Sequence, residues 1–353
     1  MRPLVLAILV TLAVPAFALA QAPTTPAAPA PPPSSPPPAA PVSGPSPGKL
    51  ELRLSGTYHT RTQRIAFVGG AIGIRGVVDP IVAGEQVEVT IKRGKKTVRD
   101  KTVTVGADGF HVSYKSRKRG TLKITARHLA SANQVAMDSA PLTIDLVRPS
   151  VHRGGRGIVV QFMQERLNAL HYLVPTNGRY DDGTGRAVLA YRKVNRMART
   201  MSAGRTILLR LADGRGTFHP RNPDAGKHVE ADLSRQVIAL INPGGKVFKI
   251  IHTSSGKPST PTVLGTFHFY SKTPGTNAKG MLDSNYFIRG YAIHGYPEVP
   301  NYAASHGCLR IPNANAAFVF GWIRVGDENV GGPLSAWPPG ESQASRSVCT
   351  VLR

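Results

Sequence analysis

Apolar and polar positions alternate along the first half of the chain. Leu50, Leu52 and Leu54 are interleaved with Glu51, Arg53 and Ser55, and Val87, Val89 and Ile91 with Glu88, Thr90 and Lys92. Leu122 and Ile124 alternate with Lys123 and Thr125, and Val103 and Val105, then Leu142, Ile144 and Leu146, keep the same period of two. Such a pattern puts one face of a strand on a core and the other in water. Turn formers separate the runs at Asp79-Pro80, Arg93-Gly94, Asp108-Gly109 and Arg119-Gly120. With no helical stretch among them, residues 49–147 are predicted to form a β-sandwich. The period then changes. Val159, Phe162, Met163, Leu167 and Leu170 fall on one helical face. After a turn bracketed by Gly178 and Gly183, Thr184 can cap a second helix carrying Ala187, Val188, Tyr191 and Val194. Residues 148–213 are therefore read as a small helical domain. Alternation returns at Val237, Ala239 and Ile241, followed by the turn Asn242-Pro243-Gly244-Gly245 and by Val247, Ile250 and Ile251. A helix is expected from about Ala314 to Arg324 with Phe318, Trp322 and Ile323 buried, so residues 226–330 read as a second β-rich domain.

The two ends differ in composition. Arg2 precedes an apolar run from Pro3 that closes on Ala18-Leu19-Ala20, the pattern of a secretory signal peptide over residues 1–20. An uncleaved anchor helix is the alternative, since about 18 apolar residues just span a bilayer. Residues 21–48 hold 12 of the 30 prolines and read as an extended linker with no core to bury. Residues 331–353 turn to Gly, Pro and Ser and read as a flexible tail. The expectation is an exported protein of the periplasm, cell wall or exterior, with N-terminal tethering left open.

Charge narrows the partners. Across 353 residues, 44 Lys and Arg stand against 20 Asp and Glu, a formal charge of +24. Between Lys92 and Arg127 there are 12 Lys or Arg against Asp100 and Asp108, a local balance of 12 − 2 = +10. Clustered cations can meet the phosphates of a nucleic acid, but an exported chain meets anionic wall polymers or anionic lipid first. A solvated basic face is the plainer reading, and no nucleic-acid partner is expected. Two cysteines exclude a disulfide scaffold and a paired CxxC zinc site. No GxGxxG turn, Walker loop or paired-carboxylate motif stands out, so no cofactor is expected.

The chemistry gathers in one stretch: Ala292-Ile293-His294-Gly295, then Ser305-His306-Gly307-Cys308-Leu309-Arg310. Cys308 is flanked by Gly and His and lies 14 residues from a second His. A nucleophilic thiolate needs a depressed pKa, which a positioned imidazole or imidazolium supplies. Gly307 lets the backbone turn so that the Cys308 amide can face a developing oxyanion. No carboxylate neighbours His294, so a backbone carbonyl such as that of Gly295 is the candidate for fixing its tautomer. Two rivals stay open at this point. His294, His306 and Cys308 could ligate a metal, and Cys349 could pair with Cys308 in an oxidising compartment and silence it. The remaining histidines, His252 among them, show no ligand spacing and read as structural or surface residues.

The same residues resemble a known family. His294-Gly295 with Ser305-His306-Gly307-Cys308-Leu309-Arg310 resembles the signature of L,D-transpeptidase (YkuD-type) catalytic domains. Ser254-Ser255-Gly256-Lys257-Pro258, Thr260-Pro261 and Gly265-Thr266-Phe267 resemble the turn and strand upstream of it. The resemblance covers about 100 residues and implies a mainly β catalytic fold. It further implies Cys308 as nucleophile, His294 as base held by the Gly295 carbonyl, and the Gly307 and Cys308 amides as oxyanion donors. Ser305 and His306 would shape the site, Arg310 would bind a stem carboxylate, and no metal would be held. The implied substrates are peptidoglycan stem peptides, cross-linked 3→3 in cell-wall biogenesis and cell shape, with carbapenems as acylating inhibitors. An L,D-carboxypeptidase or a catalytically silent wall-binding protein is the alternative. Upstream, Arg153-Gly154-Gly155-Arg156-Gly157, Val159–Leu167, Asn177-Gly178-Arg179-Tyr180, Thr184 and Ala187-Val188 resemble a three-helix peptidoglycan-binding domain, which implies glycan as a partner. Residues 76–126 are similar to a bacterial immunoglobulin-like module.

Overall fold

The computed structural model describes residues 44–325 and 347–353. The expected signal peptide, nearly all of the linker, and most of the expected tail lie outside the described residues. Gly44–Arg353 form one compact unit, so the three segments read from the pattern are not independent bodies. The physical reason is a set of shared cores.

The first segment is built from β1 (Lys49–Ser55), β2 (Tyr58–His59), β3 (Arg64–Phe67), β4 (Ala71–Asp79) and β5 (Gln86–Arg93). It continues with β6 (Lys96–Thr104), β7 (Phe110–Lys115), β8 (Gly120–His128), β9 (Met137–Asp138) and β10 (Leu142–Val147). One sheet has the order β1-β4-β7 and the other β2-β3-β10-β8-β5-β6, with β9 beside β8. Ile72, Ile74 and Val112 of the first sheet share a core with Val87, Val89, Ile91, Leu122 and Ile124 of the second. The period of two was legible because each of these strands has one wet face. Strand β3 departs from this: Ala66 enters that core, while Ile65 and Phe67 enter another.

That other core belongs to α1 (Ile158–Ala169), α2 (Asp182–Val194) and α3 (Arg205–Ala212). Helix α2 starts one turn earlier than expected from Thr184: Asp181 is the N-cap, and its carboxylate accepts the Thr184 amide at 2.8 Å. Phe162 of α1 stacks edge-on against Phe67 at 5.3 Å and lies 5.3 Å from Tyr58, which ties the helices to the sandwich. On the opposite side the same core takes in Val237, Ala239, Ile241 and Ile250.

The last segment holds β11 (His228–Asp232), β12 (Val237–Asn242), a 3₁₀ turn at Pro243–Gly245, β13 (Lys246–His252), β14 (Gly265–His268), β15 (Ser271–Thr276) and β16 (Leu282–Ile288). It closes with β17 (Tyr291–Tyr296), β18 (Leu309–Pro312), α4 (Asn313–Trp322) and β19 (Val348–Leu352). One sheet runs β13-β12-β11-β19-β14 and the other β15-β16-β17-β18. Strand β12 is buried on both faces: Val237, Ala239 and Ile241 meet the helices, and Ile238 and Leu240 meet Ile293, Leu309 and Val319. The edge of β13 is covered as well, since the Ile250 amide donates to His171 and its carbonyl accepts from Leu173.

Two expectations need correcting. The tail is not flexible throughout: Val348–Leu352 lie between β11 and β14, parallel to the first and antiparallel to the second. Cys349 on this strand is fully buried against Val229 and its neighbours. The residues between Val325 and Ser347 lie outside the described residues, and the strand between β11 and β14 is β19. In α4, Phe318 is 38% exposed rather than buried, because its ring lies over Phe248 at 5.8 Å on the outside of the helix, while Ala316 and Val319 face the core.

Candidate active site

Strands β17 and β18 are adjacent and parallel, with His294 opposite Arg310 in register. Parallel neighbours need a crossover, and here residues 297–308 supply it, ending on Ser305-His306-Gly307-Cys308. The register therefore brings His294, Arg310 and Cys308 to one cleft of about 410 Å³. Ser305 and His306 line it too, together with Lys279, Met281, Gly290, Tyr291 and Tyr296. Gly295 stands behind it, packed where a Cβ would come 2.7 Å from that of Ala316.

The His294 side chain is buried in the middle of β17, and its Nδ1 lies 2.9 Å from the Gly295 carbonyl oxygen. A carbonyl can only accept, so Nδ1 carries the hydrogen and Nε2 is left as the basic nitrogen. Burial lowers the imidazole pKa, the nearby Arg310 charge adds to this, and the Gly295 carbonyl opposes it. The ring also packs edge-on against Tyr296 at 5.8 Å. The Arg310 guanidinium lies over the same tyrosine, 4.1 Å from its centroid, in the cleft that also holds the thiol.

Cys308 is partly exposed and free. Its sulfur lies 3.8 Å from the Gly290 carbonyl oxygen, and no hydrogen bond joins it to His294. Burial raises the thiol pKa, against the Ala292 backbone and the Arg310 and Lys279 charges. The shift is opposite to the depressed pKa expected from the motif, because burial outweighs all three. Cys349, the other free thiol, is sealed in its sheet, and burial raises its pKa far above the thiol range.

Gly307 adopts φ +116°, and a Cβ there would come 2.1 Å from the Tyr291 ring. Only glycine fits that backbone and that contact. Its amide donates to Ser305 Oγ at 3.1 Å, and Ser305 Oγ donates to the Cys308 carbonyl at 2.6 Å. The Gly307 amide is therefore engaged inside the turn. Among the described residues the Cys308 amide has no hydrogen-bond partner. His306 is exposed, with Nε2 3.5 Å from Lys257 Nζ.

Among the described residues the cleft is lined by Lys279, His306 and Arg310 and by no carboxylate, with Lys257 beside His306. No group of three or more His, Cys, Asp or Glu is gathered among the described residues. Sequence reasoning brought Cys308, His294, Gly295, Gly307, Ser305, His306 and Arg310 together, and the fold places all seven in or beside the cleft. It missed Lys279, Met281, Tyr291 and Tyr296. The two tyrosines flank Ala292-Ile293-His294-Gly295 directly and could have been read from β17, whereas Lys279 sits in the turn before β16 with no local signal.

Residues 226–331 match the L,D-transpeptidase catalytic domain family. A curated relative, L,D-transpeptidase 1 of Mycobacterium tuberculosis, is 33% identical over 25% of this chain and 43% of that protein. The chain thus spans less than half the length of the curated relative it matches. Among solved structures, an L,D-transpeptidase from Xylanimonas cellulosilytica is 28% identical over 57% of this chain and 97% of that one, with a TM-score of 0.47. An L,D-transpeptidase in complex with imipenem aligns over 84% of this chain and 99% of that one at 12% identity and a TM-score of 0.27.

Proposed function

We propose that this protein is a peptidoglycan L,D-transpeptidase that works through a thioester on Cys308. The observation that carries the reading is one cleft holding a free thiol, a tautomer-fixed imidazole and an unengaged Cys308 amide. In this reading the thiol rotates from Gly290 toward the substrate, and His294 Nε2 takes its proton as sulfur adds to the carbonyl carbon at the L-centre of stem residue three. A new C–S bond forms, the C–N bond to the terminal D-Ala breaks, and the same proton passes to the leaving amine. The Cys308 amide, without a partner among the described residues, stabilises the oxyanion in this reading. Ser305 keeps the turn in shape by bonding both Gly307 and Cys308. A side-chain amine of a neighbouring stem then attacks the thioester, forming the 3→3 amide, breaking C–S and returning a proton to sulfur. With water as acceptor, the same site trims the stem as a carboxypeptidase.

The cationic rim suits the substrate. Stem peptides carry carboxylates, and Arg310 offers a fork of donors to them. The same thiol suits acylation by carbapenems, whose strained carbonyl accepts a nucleophile. The wall compartment and export through residues 1–20 belong to this reading, as do the peptidoglycan-binding role of residues 148–213 and the immunoglobulin-like character of residues 49–147. The basic stretch between Lys92 and Arg127 suits anionic wall polymers. The experiment is D-alanine release from a purified disaccharide-tetrapeptide, measured with wild-type protein, Cys308→Ala and His294→Gln. Release by the wild type that both substitutions abolish supports the reading, and release by Cys308→Ala contradicts it.

A further inference from the structure

One buried lysine has no part in the chemistry above. Lys193 lies in the last turn of helix α2, yet it is 2% exposed. Its amine reaches out of the helical segment into the catalytic one. Nζ donates to the Gln236 carbonyl at 3.0 Å and the Thr253 carbonyl at 3.1 Å, and lies 2.7 Å from His252 Nδ1. His252 is equally buried, and its Nε2 lies 2.9 Å from the Val299 carbonyl. Four contacts call for four N–H hydrogens. The amine and imidazole supply four when together they hold one positive charge, and three when both are neutral. Burial, with the Arg199 charge behind it, pulls the amine down to about 6; the hydrogen count of the four contacts works against this by favouring one shared extra proton.

What these contacts reach is the crossover between the two chemical residues. Val299 lies in the loop that runs from His294 on β17 to Cys308. Thr253 belongs to the segment that grips the far end of that loop. The Thr253 hydroxyl donates to the Arg310 carbonyl at 2.8 Å, Ser254 and Arg310 exchange backbone bonds at 3.0 Å each, and Ser305 donates its amide to Ser255. Ser254 Oγ donates to the Tyr302 carbonyl at 2.6 Å. A second clamp comes from the α2–α3 connection: Arg199 donates to the Asn301 carbonyl at 3.1 Å, and Asn301 Nδ2 donates to the Arg199 carbonyl at 2.7 Å.

We propose that Lys193 and Arg199 are positioning residues through which the helical segment holds the His294–Cys308 loop in its reactive geometry. This rests on the catalytic reading of Cys308, and it adds that the catalytic segment depends on the helical one for a correctly set nucleophile. A helical segment that only bound the wall would have no need of these contacts. A lone lysine at a helix end normally extends into water, whereas here it crosses between segments.

The test uses the full chain with Lys193→Met and, separately, Arg199→Ala. Met matches lysine in length but leaves the Gln236 and Thr253 carbonyls and His252 Nδ1 without a donor, so the melting temperature is read beside the three quantities below, and Arg199→Ala separates positioning from folding. Three quantities are read: alkylation of Cys308 by iodoacetamide, hydrogen exchange of amides 299–308, and kcat and KM for tetrapeptide. The expected result is altered alkylation, faster exchange in the loop, and a kcat lowered on the order of 10- to 100-fold with KM little changed, as a misplaced nucleophile gives. Arg199→Ala should move the same quantities in the same direction by less. Wild-type alkylation and exchange in both variants would overturn the proposal, and so would a melting temperature that falls alone. If Lys193→Met does not fold, Arg199→Ala decides by the same criteria. Alkylation and exchange need no peptidoglycan, so a failure of the transpeptidase reading stays distinguishable from a failure of this one.

Discussion

The imidazole of His294 is locked to its own chain neighbour: Nδ1 lies 2.9 Å from the Gly295 carbonyl oxygen, on a strand buried from both sides. The bond fixes which nitrogen faces the cleft, and burial decides when that nitrogen is free of a proton. A lowered folded pKa means that His294 stays neutral below the pH at which an exposed histidine, near 6.5, would protonate. A raised thiol pKa means that Cys308 stays protonated at neutral pH. The acid limb of kcat/KM is therefore expected below pH ~6.5, and the alkylation rate of Cys308 should climb at higher pH than that of an unperturbed thiol near 8.5. A pH series of tetrapeptide turnover beside iodoacetamide labelling checks both signs. An alkylation profile shifted to acid would instead point to a resting thiolate–imidazolium pair.

Gly307 gives a second prediction. At φ +116° with the Tyr291 ring pressed against it, the position has no room for a methyl group. Gly307→Ala should displace the turn that carries the Cys308 amide and the Ser305 bonds. A shift of about 1 Å can cost on the order of 100-fold in rate, so turnover should fall by that order while circular dichroism stays native. Near-normal turnover would show that the turn adapts.

The two thiols should behave differently. Cys308 opens to the cleft, whereas Cys349 is sealed between β11 and β14. Titration without reductant should find one reactive thiol in the native protein and two after denaturation. No thiol until reductant is added would mean a disulfide, which the strand position of Cys349 argues against.

Phe162 tests whether the segments cohere. It is fully buried, between α1 and the sandwich residues Tyr58 and Phe67. Phe162→Ala should cost about 3–5 kcal/mol, read by chemical denaturation, with sandwich and helices losing structure in one transition. Two separated transitions in the wild type would contradict a shared core.

These residues also show what the sequence discloses and what it hides. The strands of the first segment were legible because one face is wet and the period of two survives. The chemical residues were legible because His294-Gly295 with Ser305-His306-Gly307-Cys308-Leu309-Arg310 resembles the signature of a known family. Strand β19 was hidden, since Val348-Cys349-Thr350-Val351-Leu352 is five residues long and its partners β11 and β14 lie far upstream. Lys193 was hidden for a similar reason: its acceptors Gln236, His252 and Thr253 are 43 to 60 positions away. No local pattern distinguishes such a lysine from a solvated one. The raised Cys308 pKa was hidden as well, because burial is a property of the fold.

The most direct test of the central claim is intact-protein mass spectrometry after a brief incubation with disaccharide-tetrapeptide and acid quench. The expected result is an adduct equal to the disaccharide-tripeptide acyl group, mapped to the peptide containing Cys308, formed as D-alanine is released and absent in Cys308→Ala. Release of D-alanine by Cys308→Ala, or an adduct mapped to another residue, would contradict it.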